Sequence, residues 1–156
     1  MIYLKLLRPK DWAKNLFLYI PLFFAGEIFN WIKVFHVFEG FVAFCCIASS
    51  IYIINDYTDK EDDKKHPEKR NRPIASGAVS PTVALTIFAI LVVAGFVTAY
   101  FINSRFLFLL ALYFFLNIGY SFGLKNIPIL DIFIIAIGFA LRVRSGGNIA
   151  KVDVTI

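Results

Sequence analysis

The residues best equipped for chemistry run from Asn55 to Asp63, in the order Asn55-Asp56-Tyr57-Thr58-Asp59-Lys60-Glu61-Asp62-Asp63, with Lys64, Lys65, His66, Lys69, Arg70 and Arg72 close behind. Steps of three and four residues return to one face of a helix, so Asp56, Asp59 and Asp63 project to one side, with Asn55 and Asp62 at its edge. One cation could therefore meet several carboxylates. Magnesium binds through one or two carboxylates and fills its remaining positions with water and phosphate oxygens, so this face suits a metal-bridged diphosphate better than a closed protein cage. The segment has neither the central glycine nor the terminal glutamate of a calcium loop, and His66 stands alone, which argues against zinc. Mg²⁺ is the expected cofactor, with Asn55, Asp56, Asp59 and Asp63 as its ligands and Asn55, Asp56 and Asp59 as the catalytic set.

The cationic half of the segment points to the same kind of ligand. Lys69, Arg70 and Arg72 could hold phosphate oxygens, and Pro67 and Pro73 would stiffen the loop that carries them. The competing reading, charge that fixes membrane topology, applies to each of these residues singly. Lys14 and Lys125 are expected at the same mouth on the same logic, and Tyr120 could donate to a phosphate or serve as an interfacial anchor.

These residues must be positioned by membrane-spanning elements. The chain of 156 residues is 59% hydrophobic and 17% aromatic, with a mean hydropathy of +0.72. That is far more apolar than ordinary soluble domains. The net charge of +5 is confined to short stretches beside apolar runs, which is not the footprint of a nucleic-acid binder. Cys45 and Cys46 are adjacent within an apolar run, so they read as small packing residues. A bilayer crossing needs about 20 apolar residues. Five stretches qualify, at 12–31, 34–54, 81–102, 106–122 and 129–145, and the stretch 146–153 reads as a loop. The first lacks a small-residue cleavage site and is followed by further spans, so it reads as a transmembrane helix rather than a signal peptide. Trp12 and Trp31 are expected to anchor its two ends and Pro21 to kink it, while Gly40, Gly95, Gly119 and Gly138 would permit close helix contacts.

With the N-terminus inside, the loops on one side of the membrane hold Lys5, Arg8, Lys10, Lys14, Lys60, Lys64, Lys65, Lys69, Arg70, Arg72 and Lys125, and the loops between spans on the other hold Lys33 and Arg105. This asymmetry predicts a multi-pass protein of the cell membrane with a cytoplasmic N-terminus and a cytoplasmic Asp-rich and basic loop at 55–80. Arg142 falls about 16 Å along the fifth span from Asp131, roughly mid-membrane. Either it faces a polar cavity and meets a buried phosphate or carboxylate, or the span is short and it snorkels to the far interface.

The pattern Asn55-Asp56-x-x-Asp59-x-x-x-Asp63 resembles the first Asp-rich motif of the UbiA superfamily of intramembrane prenyltransferases. More narrowly, three stretches resemble the branch typified by decaprenyl-phosphate phosphoribosyltransferase. They are Arg8-Pro9-x-x-Trp12-x-Lys14-Asn15, His66-Pro67-x-Lys69-Arg70-x-Arg72-Pro73-Ile74-Ala75-x-Gly77, and Leu141-Arg142-Val143. The resemblance implies an all-α polytopic helix bundle, with about five helices here corresponding to the N-terminal part of a nine-helix fold. It also implies magnesium-dependent transfer of 5-phosphoribose from phosphoribosyl diphosphate to a polyprenyl phosphate, releasing diphosphate. In that reading Lys14, Lys69, Arg70 and Arg72 contact the donor phosphates, and Tyr120, Lys125 and Arg142 complete the substrate-binding set.

Residues 1–156 are expected to form one transmembrane domain that is an incomplete N-terminal part of such a protein, inactive alone, with association into an oligomer open. Two other functions are compatible with the residues. One is a UbiA-type aromatic prenyltransferase using a polyprenyl diphosphate, and the other a non-enzymatic membrane subunit or transporter.

Overall fold

A 28-residue helix forms the centre of the molecule, and most of the other elements pack against it. In the computed structural model, residues 2–124, 127 and 129–153 are described, and these contain helices and no strand. The order is α1 (Ile2–Leu7), a 3₁₀ segment (Pro9–Tyr19), α2 (Ile20–Phe24), α3 (Trp31–Thr58), α4 (Lys60–Lys65), a 3₁₀ turn (Lys69–Asn71), α5 (Pro81–Ile102), α6 (Ser104–Ser121) and α7 (Leu130–Ala150). Four of these, α3, α5, α6 and α7, are long and apolar enough to cross a membrane.

Side-chain caps start three of the four. Asn30 accepts from Lys33 N, Ser80 from Val83 N ahead of Pro81 at the first turn, and Asn103 from Phe106 N at 2.8 Å. Each satisfies one of the donors that a helix start leaves open. The window that would cross the bilayer is 67% buried in α3 and 11% buried in α5, so α3 is the hub and α5 an outer staff. Small residues let the helices close in: a β-carbon on Gly95 of α5 would fall against Ile47 of α3, and one on Gly40 of α3 against Ile149 of α7. Phe44 fills the centre, its ring 5.2 Å from Tyr113 and 5.9 Å from Phe106.

Two sequence expectations need correcting. The stretch 12–31 is not one α-helix but the 3₁₀ segment followed by α2, with Arg8 in the left-handed region before Pro9 and Pro21 in the first turn of α2. At about 2 Å per residue the 3₁₀ segment covers about 22 Å in eleven residues, where an α-helix would cover about 17 Å. Trp12 is tied to α3: its indole N–H donates to Ser49 Oγ at 3.0 Å, and Ser49 in turn donates to the Leu7 carbonyl. Trp31, exposed at the start of α3, keeps the expected surface position. Secondly, 146–150 belong to α7 rather than to a loop. Gly146 is there because the main chain of Leu18 lies directly against it.

Candidate functional site

The Asp-rich segment straddles the end of α3 and the first part of α4, so helical spacing is kept through the carboxylates, with a break near Asp59. A small apolar cluster of Leu6, Ile53, Ile74, Val79 and Ala84 sits beside it. Leu6 precedes Arg8 and Ile74 follows Arg72, so this cluster pins to α3 the two segments that carry the cations. The second segment needs a tight reversal: Val79 N donates to the Pro73 carbonyl at 2.9 Å, and Gly77 supplies the φ of 78° that the turn requires.

The result is a charge cluster built on Asp56, which is 1% exposed. Its Oδ1 accepts from Arg8 at 2.5 Å and from Arg72 Nη1 at 3.1 Å, and the same Nη1 donates to Asp63 Oδ2 at 2.8 Å. Arg72 thus ties Asp56 and Asp63 together. Asp56 Oδ2 is buried with no hydrogen-bond partner. A buried carboxylate oxygen left in this state is costly and calls for a positive ligand. Next to the cluster, a cleft of about 500 Å³ is lined by Thr58, Asp59, Asp62, Asp63, His66, Lys69, Ser121, Phe122 and Gly123. His66 Nδ1 accepts from the main-chain N–H groups of Glu68 and Lys69, so it shapes the basic turn. On the exposed face of α4, a hydrogen bond from Lys64 holds the Glu61 carboxyl below the usual range.

The predicted residues are therefore only partly assembled. Asp56, Asp63 and Arg72 form one cluster, and Asp59, Asp63 and Lys69 share the cleft. Asn55 is half-buried in the last turn of α3, and Arg70 is exposed on the 3₁₀ turn. Tyr120 is half-buried next to the cleft residue Ser121 without lining the cleft itself. Lys14 lies apart from Asp56 and pairs with Asp11 at 2.7 Å. Lys125 lies outside the described residues.

Arg142 is buried among neighbouring helices rather than turned to the far interface, and its hydrogen-bond partners include neither a carboxylate nor a phosphate. It is 6% exposed, and its side chain turns back towards the Asp-rich end. Nε donates to Asn15 Oδ1 at 2.9 Å, Nη1 to the Gly138 carbonyl at 2.9 Å and Nη2 to Tyr113 Oη at 2.8 Å, with the rings of Tyr113, Phe139 and Phe44 around the guanidinium. Its three acceptors are all neutral.

Arg8, Asn15 and Tyr113 are the residues that sequence reasoning did not place in the site. Arg8 immediately precedes the 3₁₀ segment and Asn15 belongs to it, and this stretch descends α3 through Arg8–Asp56, Trp12–Ser49 and Asn15–Cys45. Seven residues of 3₁₀ helix cover about 14 Å, close to the roughly 16 Å between Asp56 and Cys45 on α3, whereas seven α-helical residues would cover about 10 Å. The unusual backbone keeps these pairs in register.

A multi-pass helical membrane protein with an acidic and basic mouth at one end is the class this architecture defines. The UbiA prenyltransferase family model matches residues 16–154, and the chain belongs to that family. The decaprenyl-phosphate phosphoribosyltransferases of Mycolicibacterium smegmatis and Corynebacterium glutamicum are 38% and 35% identical to it. They cover 97% of this chain in both cases, and 49% and 47% of their own lengths. A 4-hydroxybenzoate octaprenyltransferase of Aliivibrio fischeri is 33% identical over 138 residues, 88% of this chain and 44% of that protein. The chain spans about half the length of the curated relatives it matches. Among solved structures, a UbiA homolog from Archaeoglobus fulgidus bound to DMAPP and Mg²⁺ superposes with a TM-score of 0.86 at 23% identity, over 100% of this chain and 57% of that one. At this identity the likeness is one of fold.

The residues present fit a magnesium ion. Among the described residues no three His, Cys, Asp or Glu side chains converge. Mg²⁺ needs only one or two carboxylates beside water and phosphate. The orphaned Asp56 Oδ2, with Asp63 held nearby by Arg72, meets that need.

Proposed function

We propose that the full-length protein transfers 5-phosphoribose from phosphoribosyl diphosphate to a polyprenyl phosphate and releases diphosphate. The observation that carries this reading is the buried Asp56, compensated by two guanidinium groups on one oxygen and open on the other, at the end of a membrane bundle whose relatives are phosphoribosyltransferases. Asp56 and Asp63, with Asp59 and Asn55 beside them, would hold Mg²⁺. When bound, the ion screens the charge of the departing diphosphate.

The chain's own residues do the rest. Arg72, Lys69 and Arg70 on the basic turn orient the donor phosphates, and Lys14, Tyr120, Lys125 and Arg142 complete the substrate-binding set. An oxygen of the lipid phosphate attacks the ribose C1 as the bond from C1 to the diphosphate oxygen breaks, and the electron pair leaves with the diphosphate. The acceptor is already anionic, so no general base is needed and the site works by positioning and charge stabilisation. The excess of Lys and Arg at this end supports a cytoplasmic Asp-rich mouth and N-terminus.

The 4-hydroxybenzoate octaprenyltransferase relative supports a second reading, in which a polyprenyl diphosphate is the donor and an aromatic ring the acceptor. Purified full-length protein supplied with each donor and Mg²⁺ separates the two. Labelled lipid-linked phosphoribose formed only from phosphoribosyl diphosphate is the expected result; a prenylated aromatic product in its place overturns the proposal.

A further inference from the structure

We infer that Asn15 and Tyr113 are positioning residues that hold Arg142 as a second anion station, one that receives the phosphate of the acceptor lipid. The inference rests on the proposed phosphoribosyl transfer and assigns one substrate group to one place within it.

Among the described residues, Arg142 meets no counter-ion. Arg142 is buried, and its hydrogen bonds go to an amide oxygen, a main-chain carbonyl and a phenol, none of them charged. A guanidinium carries five N–H donors, of which these contacts use three. A buried cation without an anion is costly, and the rings of Tyr113, Phe139 and Phe44 offset only part of that cost through their π faces. Such a site is prepared for an anion that arrives with the ligand.

Asn15 keeps it so. The side chain is fully buried, with Oδ1 on Arg142 and Nδ2 donating to Cys45 Sγ at 3.3 Å. An aspartate of the same shape would neutralise the arginine permanently, and the amide orients Nε without taking its charge. Tyr113 Oη orients Nη2 in the same way.

Depth decides which anion binds. Measured along α3, the level of Cys45 lies about 16 Å below Asp56, farther than one diphosphate reaches from a metal at Asp56. Arg142 is thus a separate station inside the apolar bundle. A phosphate on a polyprenyl chain is brought to that depth by its own tail. Between the two stations, Arg8 lies over the Tyr52 ring at 5.1 Å. A lipid phosphate received at Arg142 therefore has to rise towards Arg8 before its oxygen can meet the ribose C1.

The test uses the full-length protein in nanodiscs. It measures binding of a polyprenyl phosphate, the same polyprenol without phosphate, and phosphoribosyl diphosphate with Mg²⁺ to the parent, Asn15→Asp and Tyr113→Phe forms. Both variants are expected to lose at least about tenfold in affinity for the polyprenyl phosphate, with polyprenol and donor affinities within about twofold. Asn15→Asp should keep or raise the thermal midpoint, because it supplies the missing counter-ion. Unchanged polyprenyl phosphate affinity in Asn15→Asp overturns the inference, and so does an equal loss of donor binding. A parent protein that takes up the lipid phosphate through this site but never the phosphoribosyl donor leaves the station standing and removes the donor assignment.

Discussion

Gly146 lies against the main chain of Leu18, with the space of its absent β-carbon already filled by the Leu18 carbonyl group. Main chain cannot yield as a flexible side chain can. Gly146→Ala should therefore destabilise the bundle by about 1–3 kcal/mol through overpacking. Gly138→Ala, whose β-carbon would meet only ordinary contacts at 3.5 and 3.6 Å, should cost little or gain slightly from helix propensity. Thermal unfolding of the two variants in the same detergent checks the contrast.

Asp56→Asn keeps the size of the side chain and removes its charge. Turnover by the full-length protein should fall at least about a hundredfold, the scale seen when a group that stabilises developing charge is lost. Circular dichroism should show the helical content intact. Undiminished activity would defeat the assignment of Asp56.

The same residue should govern ligand-induced stability. Mg²⁺ with inorganic diphosphate, at about a hundred times its dissociation constant, should stabilise the parent protein by about 2.7 kcal/mol. A thermal-shift titration should show this rise, and chelation should reverse it. Asp56→Asn should show no rise.

Arg8 and Lys5 are neighbouring cations near the N-terminus with different settings, since Arg8 is bonded to Asp56 and Lys5 is exposed. Arg8→Ala should lower turnover at least about tenfold, because it leaves a buried carboxylate short of one partner. Lys5→Ala should stay within about twofold in the same assay.

The legible and illegible parts of this molecule divide along physical lines. Asp56, Asp63 and Arg72 were readable because acidic and basic side chains beside apolar runs are rare enough to mark a site. The paths of α3, α5 and α6 were readable from apolar length. The 3₁₀ segment was not, since apolar content does not distinguish 3.0 from 3.6 residues per turn. With that segment went Asn15, a neutral amide whose role appears only once its 127-residue separation from Arg142 is closed in space. The spacing of Arg8, Trp12 and Asn15 was the available signal, for these three polar or amphipathic groups meet one neighbouring helix. Gly146 and Gly147 were read as a break because glycine weakens helices, yet at Gly146 the missing side chain makes room for a neighbour's backbone.

The 3₁₀ course of Pro9–Tyr19 bears on biogenesis. Spans such as α3, α5, α6 and α7 are stable alone in lipid because each satisfies its own main chain, and they can enter the bilayer before they meet. Eleven residues of the tighter helix have poorer hydrogen-bond geometry and little autonomous stability. That segment must therefore mature on the surface offered by α3 and α7, which are synthesised after it. A stretch made before its supports is in this sense among the last to take its final form, and Arg8 and Asn15 reach their partners only when it does.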